Sequence, residues 1–261
     1  MKPANLVLDL LRTYGRRGTG VSNLMETAKL FQVSENAMRV TLTRLTGRGL
    51  VEKVRRGHYR LAEGSDPITD FVEEWRLGEK RRRPWQANHF LLVHCPAETD
   101  KDAWVLNATG FRSSTPNFWM RPDNLSRRSD ELRSWLAGMG LSDSSLIAEG
   151  AELSEKDAKT FLQLYHVKHL DKQYQALIKN LEASAKRLEA LPKAVAMKES
   201  FRLGGQALQL LAKDPYLPVE LQSPSLRQAL WQMMLAYDEQ GRGVWTDKPA
   251  IMPTDMTSYA V

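Results

Sequence analysis

The side chains best placed to do chemistry lie near the N-terminus, in the stretch SENAMRVTLTRLTGRGLV, residues 34–51. Met38, Leu42 and Leu45 recur at i, i+4 and i+7, so on a helix they share one face and are expected to be buried. At about 100° per residue the opposite face carries Asn36, Val40 and Thr43, with Arg39 at its edge and Arg44 and Arg48 on the other flank. Asn and Arg side chains match purine edges bidentately in a major groove, and an outward valine such as Val40 suits a thymine methyl. Flanking arginines suit phosphates, which orient a helix without reading sequence. Ser34 is a good N-cap for such a helix, which ends near Gly47 or Gly49. The plain alternative is an amphipathic helix with a polar outer face.

A second cluster follows at once. Residues 50–55 and 58–61 alternate as short strands around Arg56-Gly57. A two-residue turn there sets Arg55 opposite His58, Val54 opposite Tyr59 and Lys53 opposite Arg60. Val54, Tyr59 and Leu61 then share one face, and Lys53, Arg55, His58 and Arg60 the other. Like charges directly opposed destabilise an isolated hairpin, so a ribbon of this kind is expected to meet a polyanion. A hydrated basic ribbon without a partner is the bland reading. Arg-Gly is a weaker turn signal than Asn-Gly, which leaves room for the register to slip.

The elements that must position these clusters are legible upstream. Leu6, Leu10 and Leu11 mark a helix ending at Tyr14-Gly15, and residues 24–31 mark another, with Ser22 or Asn23 as its cap. Residues 1–64 carry a formal charge of +7 and the remaining chain −1, so the whole basic excess of the 261 residues is N-terminal. A basic module joined to a near-neutral body is the electrostatic pattern of a nucleic-acid reader with an effector region.

Four regions are expected in an α+β, multidomain chain: a DNA-binding module over 1–64, a linker helix over 65–84, a small α+β domain over 85–153, and a helical effector and dimerisation region with a loose tail over 154–261. The linker opens at Asp66-Pro67, presents Phe71, Val72 and Trp75, and closes on Lys80-Arg81-Arg82-Arg83, read as solvated, with a second DNA-contacting patch as the alternative. In the central domain residues 89–94, 117–120 and 145–148 read as strands and 102–109 and 132–136 as helices, a sheet covered on one face. From Ser154 the pattern is helical, with a stripe of Leu170, Tyr174, Leu177, Leu181 and Leu188 that suits a core or a dimer interface.

Several function classes are disfavoured. No uncharged apolar run of about 18 residues is present, so no membrane partner is expected. The single cysteine, Cys95, cannot form an internal disulfide and fits a cytoplasmic setting. Phosphate-binding loops, dinucleotide-binding glycine patterns and nucleophile elbows are absent, so no catalytic residue and no cofactor is assigned. His166-x-x-His169 has the spacing of two ligands on a helix, but no third ligand is compelled and no metal is expected.

At these residues a family becomes recognisable. Ser34…Met38-Arg39…Leu42…Leu45…Gly49-Leu50 resembles the winged helix of GntR-like repressors, and Tyr14-Gly15-x-Arg17 before it looks like the PaaX family, repressors of phenylacetate-degradation operons. Gly110-Phe111…Pro116-Asn117-Phe118-Trp119-Met120-Arg121-Pro122-Asp123-Asn124-Leu125 is similar to that family's central segment, and Asp214-Pro215-Tyr216-Leu217-Pro218-x-Glu220-Leu221 to its C-terminal motif. The resemblance implies an N-terminal winged helix-turn-helix, a central ferredoxin-like domain and a helical C-terminal domain. It also implies a homodimer on an inverted-repeat, double-stranded operator, released by an acyl-CoA effector of aryl-acyl type. Trp85-Gln86-Ala87-Asn88 lacks the acidic residue of a metal-binding nuclease, so the central domain is not expected to be catalytic.

On this reading Ser34, Asn36, Arg39, Val40, Thr43, Arg44, Arg48, Lys53, Arg55, Arg56, Gly57, His58 and Arg60 contact DNA. Trp119, Arg121, Asn124 and Arg202 are the effector candidates, an arginine being able to hold an anionic group. The competing account makes Asn117–Leu125 a packing and junction motif. Two other functions remain open: a nucleic-acid-processing enzyme targeted by a winged helix, and a winged-helix protein-interaction scaffold.

Overall fold

The computed structural model describes residues 2–62 and 67–245. The chain is α+β, with one three-stranded and one four-stranded antiparallel sheet among the described residues. It divides into two compact units, one drawn from Met1–Pro67, Arg187–Arg202 and Asp238–Val261, the other from Ile68–Lys186 and Leu203–Tyr237. No helix among the described residues is long and apolar enough to cross a membrane.

In the first unit α1 (Pro3–Tyr14) starts on a proline, whose missing N–H costs nothing in the first turn, and buries Leu6, Val7, Leu10 and Leu11. β1 (Thr19–Gly20) leads directly into α2 (Val21–Leu30), and α3 (Glu35–Gly47) follows after a short turn. Ser34 caps α3 as expected, accepting from the Ala37 N–H at 3.2 Å. α2 does not use the expected Ser22 or Asn23 cap: Gly20 occupies that position, and the Asn23 amide donates to Thr19 Oγ1 at 3.2 Å. β2 (Val51–Arg55) and β3 (His58–Leu61) form the hairpin, and β1 adds to the free edge of β3. A two-residue strand such as β1 is too short for alternation to announce it.

Met197, Phe201, Val244 and Trp245 pack into this same core. Trp245 meets the Tyr14 ring edge-on at 6.2 Å and donates its indole N–H to Ser200 Oγ at 3.2 Å. The helical region 154–261, expected as one domain, is therefore divided between the two units. Periodicity shows that a helix has an apolar face, but not which core receives it.

The second unit opens with α4 (Pro67–Glu73), a tight helical stretch (Glu74–Arg81), β4 (His89–His94) and α5 (Asp100–Ala108). β5 (Arg112–Thr115) and β6 (Phe118–Pro122) form a hairpin, followed by α6 (Ser129–Met139) and β7 (Leu146–Glu152). The strand order is β5-β6-β4-β7. β5, an Arg-Ser-Ser-Thr run without apolar alternation, escapes the sequence reading. α5 starts two residues earlier than expected because Thr99 and Asp102 close a reciprocal capping box. α7 (Glu155–Leu162) and α8 (Val167–Ala185) follow, and α9 (Lys193–Ala212) and α10 (Ser225–Trp245) each contribute residues to both units.

The sheet is covered on more than the one face expected. Leu91, Val93 and Trp119 pack with Val105, Leu106, Leu132 and Leu136 of α5 and α6, while Phe90 and Met120 pack with Ala158, Phe161 and Leu217.

The run Lys80–Arg83, expected as a solvated linker, is largely structural. Arg81 is buried and donates to the carbonyls of Leu211 and Ala212, both at 3.2 Å. Arg82 is held by Glu79, and Arg83 donates to Asp123 at 2.5 Å and to the Leu125 carbonyl at 3.1 Å. Arg81 and Arg83 thus find acceptors that are distant in sequence and Arg82 a local one, which no charge count reveals.

Candidate nucleic-acid interface

The α3 helix divides as its spacing predicts. Met38, Leu42 and Leu45 are buried against α1 and α2, while Asn36, Arg39, Val40, Thr43, Arg44 and Arg48 are exposed. Val40 is 61% exposed, on the face opposite the buried Met38, Leu42 and Leu45. The α2–α3 turn is stiffened by the Gln32 and Val33 amides donating back to Lys29 and Ala28, with Gln32 in the left-handed region. Thr43 Oγ1 donates to the Arg39 carbonyl at 3.1 Å, which fixes its rotamer on the outer face. The one acidic residue in the first turn, Glu35, is paired with Lys29 at 3.1 Å.

The hairpin corrects the expected register. Arg55 does face His58, but a bulge between Lys53 and Arg55 sets Lys53 opposite Tyr59 and Glu52 opposite Arg60. Val54 falls in the bulge and is exposed rather than facing inward with Tyr59 and Leu61. Arg60 therefore lies against a carboxylate, Glu52, instead of a like charge, and only Arg55 and His58 remain as an opposed basic pair. A bulge inserts one residue on one strand, and here it trades a Lys–Arg repulsion for a Glu–Arg attraction. What remains exposed at the tip is Lys53, Val54, Arg55 and Arg56.

Two contacts fasten this ribbon. The Val21 N–H donates to the Gly57 carbonyl at 2.7 Å, and a His58 ring nitrogen lies 2.8 Å from the Arg17 carbonyl. Gly18 is required where it stands: its φ is +62°, and a Cβ there would lie 2.2 Å from the Tyr59 carbonyl oxygen. Arg17 and Gly18 receive the ribbon, a positioning role that carries no local sequence pattern.

Trp119, Arg121 and Asn124 lie in the second unit. Arg121 is 2% exposed and donates to the carbonyls of Thr109, Pro215 (2.8 Å) and Pro122 (3.4 Å), and to Asn124 Oδ1 at 3.2 Å. Burial pushes its guanidinium down to about 10, so it remains cationic near neutrality. Asn124, 0% exposed, donates to the Tyr216 carbonyl at 2.7 Å. Trp119 donates its indole N–H to Glu98 at 3.0 Å. Arg202 is exposed and belongs to the other unit. The hydrogen bonds of Arg121 and Asn124 are spent tying β6 and its following loop to the Asp214–Pro218 turn, so the packing account describes them.

That turn is itself anchored. Asp214 accepts from the Tyr174 hydroxyl and from the Tyr216 N–H at 2.6 Å, and Arg227, 1% exposed, lies 3.8 Å from it and 2.9 Å from Glu79. Arg81 and Arg227 both stack on the Tyr216 ring, at 4.5 and 5.0 Å. Burial alone would raise the Glu79 carboxyl, but the hydrogen bonds and charges of Arg227 and Arg82 outweigh it and hold it below the usual range. His166 and His169 stand exposed at the start of α8.

No protein-family model matches this chain, and no curated protein does. Over 93% of this chain and 98% of its counterpart, the fold is similar to that of a solved structure from Mycobacterium tuberculosis, the uncharacterized protein Rv0674, with a TM-score of 0.56 and 20% sequence identity. That likeness is one of fold alone.

Proposed function

We propose that this chain is a DNA-binding transcriptional repressor of the PaaX type, acting in the cytoplasm as a homodimer on an inverted-repeat operator and relieved by an acyl-CoA effector. In this reading the first unit is a winged helix-turn-helix. α3 is the recognition helix, with Asn36, Arg39, Val40 and Thr43 toward base edges and Arg44 and Arg48 toward phosphates. The β2–β3 hairpin is the wing, with Lys53, Arg55 and Arg56 on the backbone. The order βαββαβ in the central segment, with its first strand between the third and the fourth, supports reading that segment as the ferredoxin-like domain.

The observation that carries the reading is the outer face of α3. Polar, cationic and apolar groups stand together in solvent there, opposite a fully buried stripe, next to an exposed cationic hairpin tip. The exposed Val40 adds an apolar group to that face, which suits a thymine methyl.

The test is selection of duplexes from a random pool, followed by titration of the selected duplex and a scrambled one over a salt series. Repression predicts a selected inverted repeat, steep salt dependence and a preference for the selected duplex. Equal affinity for both duplexes at physiological salt, or no binding, overturns it. Acyl-CoA release is read in the same titration with the thioester added.

A further inference from the structure

The second unit holds a cavity of about 650 Å³ where α7 gives way to α8. We propose that this cavity binds a small amphipathic anion, a molecule with a carboxylate or phosphate head and an apolar body. The site deepens the effector part of the function proposed above and rests on it only for its consequence, since occupancy is measured without DNA.

The charge around the opening is one-sided. Lys168, Lys172, His166 and His169 line it together with Lys159, and no carboxylate does. Lys159 is already held by Glu155 at 2.7 Å, which leaves Lys168 and Lys172 as the cations the site offers. These two are i and i+4 on one helix, a spacing that places like charges side by side and costs stability. They also sit in the first two turns of a 19-residue helix that has no acidic residue in its first turn and no side-chain cap. At Lys168, in the first turn, the positive end of the backbone dipole adds to the repulsion, and Asp171 in the second turn is the one acidic residue beside the pair. Cations gathered where the backbone is already positive are unfavourable alone and favourable around an anion.

The floor has the opposite character. Leu162, Leu217 and Leu221 line it, with the Tyr165 ring fixed by its hydroxyl donating to the Gly110 carbonyl at 2.9 Å. Burial pushes that hydroxyl up to about 12, so it stays a neutral donor and the floor stays uncharged at physiological pH. Leu217 belongs to the Asp214–Pro218 turn that Arg121, Asn124 and Arg227 lock in place, so the floor is preformed. A polar, cationic rim over a rigid apolar floor selects for ligands with both characters, and the volume is in the range of small-molecule sites.

Calorimetric titration of the full chain with octanoate, octanoyl-CoA and CoA separates the sources of the anion. Binding of octanoate assigns the rim to a carboxylate head, binding of octanoyl-CoA without octanoate assigns it to phosphates, and CoA binding as tightly as octanoyl-CoA removes the apolar floor from recognition and overturns the proposal. The double variant Lys168→Glu/Lys172→Glu is expected to weaken whichever probe binds by about tenfold or more. Lys179→Glu, an exposed position further along α8, is expected to leave the affinity unchanged. All three substitutions are at exposed sites, and melting temperatures within about 2 °C of the parent show that the fold is kept. No binding of any probe at about 1 mM, or equal affinity in the double variant and the parent, overturns the proposal. A bound probe that leaves DNA affinity untouched keeps the site and removes only its regulatory role.

Discussion

The arginines of the first unit and those of the second are one side chain in opposite surroundings. Arg39, Arg44, Arg48, Arg55 and Arg56 stand in solvent, and none forms an ion pair among the described residues. Arg81, Arg121 and Arg227 are buried, stacked on aromatic rings and bonded to carbonyls or carboxylates far away in the chain. The first group leaves its bonding capacity open to solvent. The second has spent that capacity on holding loops together, and its charge is unavailable to a ligand. A guanidinium is thus informative about function only once its acceptors are known, which is why Lys80–Arg83 and Arg121 mislead when read as linear motifs.

The largest effect is expected at Arg121. Arg121→Leu is expected to destabilise the second unit by about 3 kcal/mol or more, since several buried acceptors lose their donor at once, read as a lower urea midpoint. Unchanged stability together with a lost ligand response would return Arg121 to the effector role.

A buried carboxylate sharpens the same point with pH. Burial alone would raise Asp102, but hydrogen bonds from the Thr99 hydroxyl and N–H and the Ser142 N–H and hydroxyl outweigh it and hold it below the usual carboxylate range. A folded-state pKa below the unfolded one stabilises the fold above the unfolded value, and that contribution is lost as pH falls through the folded one. Asp102→Asn is expected to cost about 1–3 kcal/mol at neutral pH. The deficit relative to the parent shrinks as both are titrated into the acid range, and a pH-independent deficit contradicts the assignment.

The exposed arginines are expected to behave in reverse, with stability changed by no more than about 0.5 kcal/mol and DNA binding altered. Arg39→Ala removes about 1–3 kcal/mol of discrimination between a selected duplex and a scrambled one. Arg55→Ala weakens both duplexes alike and lowers the salt slope by about one. Equal effects of the two variants on both duplexes would erase the division between reading and anchoring. The smallest change is expected for Val40→Ala, under about 1 kcal/mol and confined to sites with a thymine at one position.

Regular, local features are legible in the linear chain. Spacing alone places Met38, Leu42 and Leu45 inside and Asn36, Arg39, Val40 and Thr43 outside, and Ser34 announces the start of α3. These follow from the 3.6-residue period and from capping chemistry, which act within a few residues. The β2–β3 hairpin is legible, but its bulge is not, because one inserted residue exchanges Lys53 for Glu52 as the partner of Arg60 without leaving a composition signal. The division of the helical region between two cores, the burial of Arg81 and the cationic cavity at the start of α8 belong to the tertiary structure alone. Each depends on which carbonyl, ring or apolar face arrives from elsewhere in the chain, as Leu211 does at Arg81, Trp245 at Tyr14 and Leu217 at the start of α8, and a local pattern carries no information about arrivals of that kind.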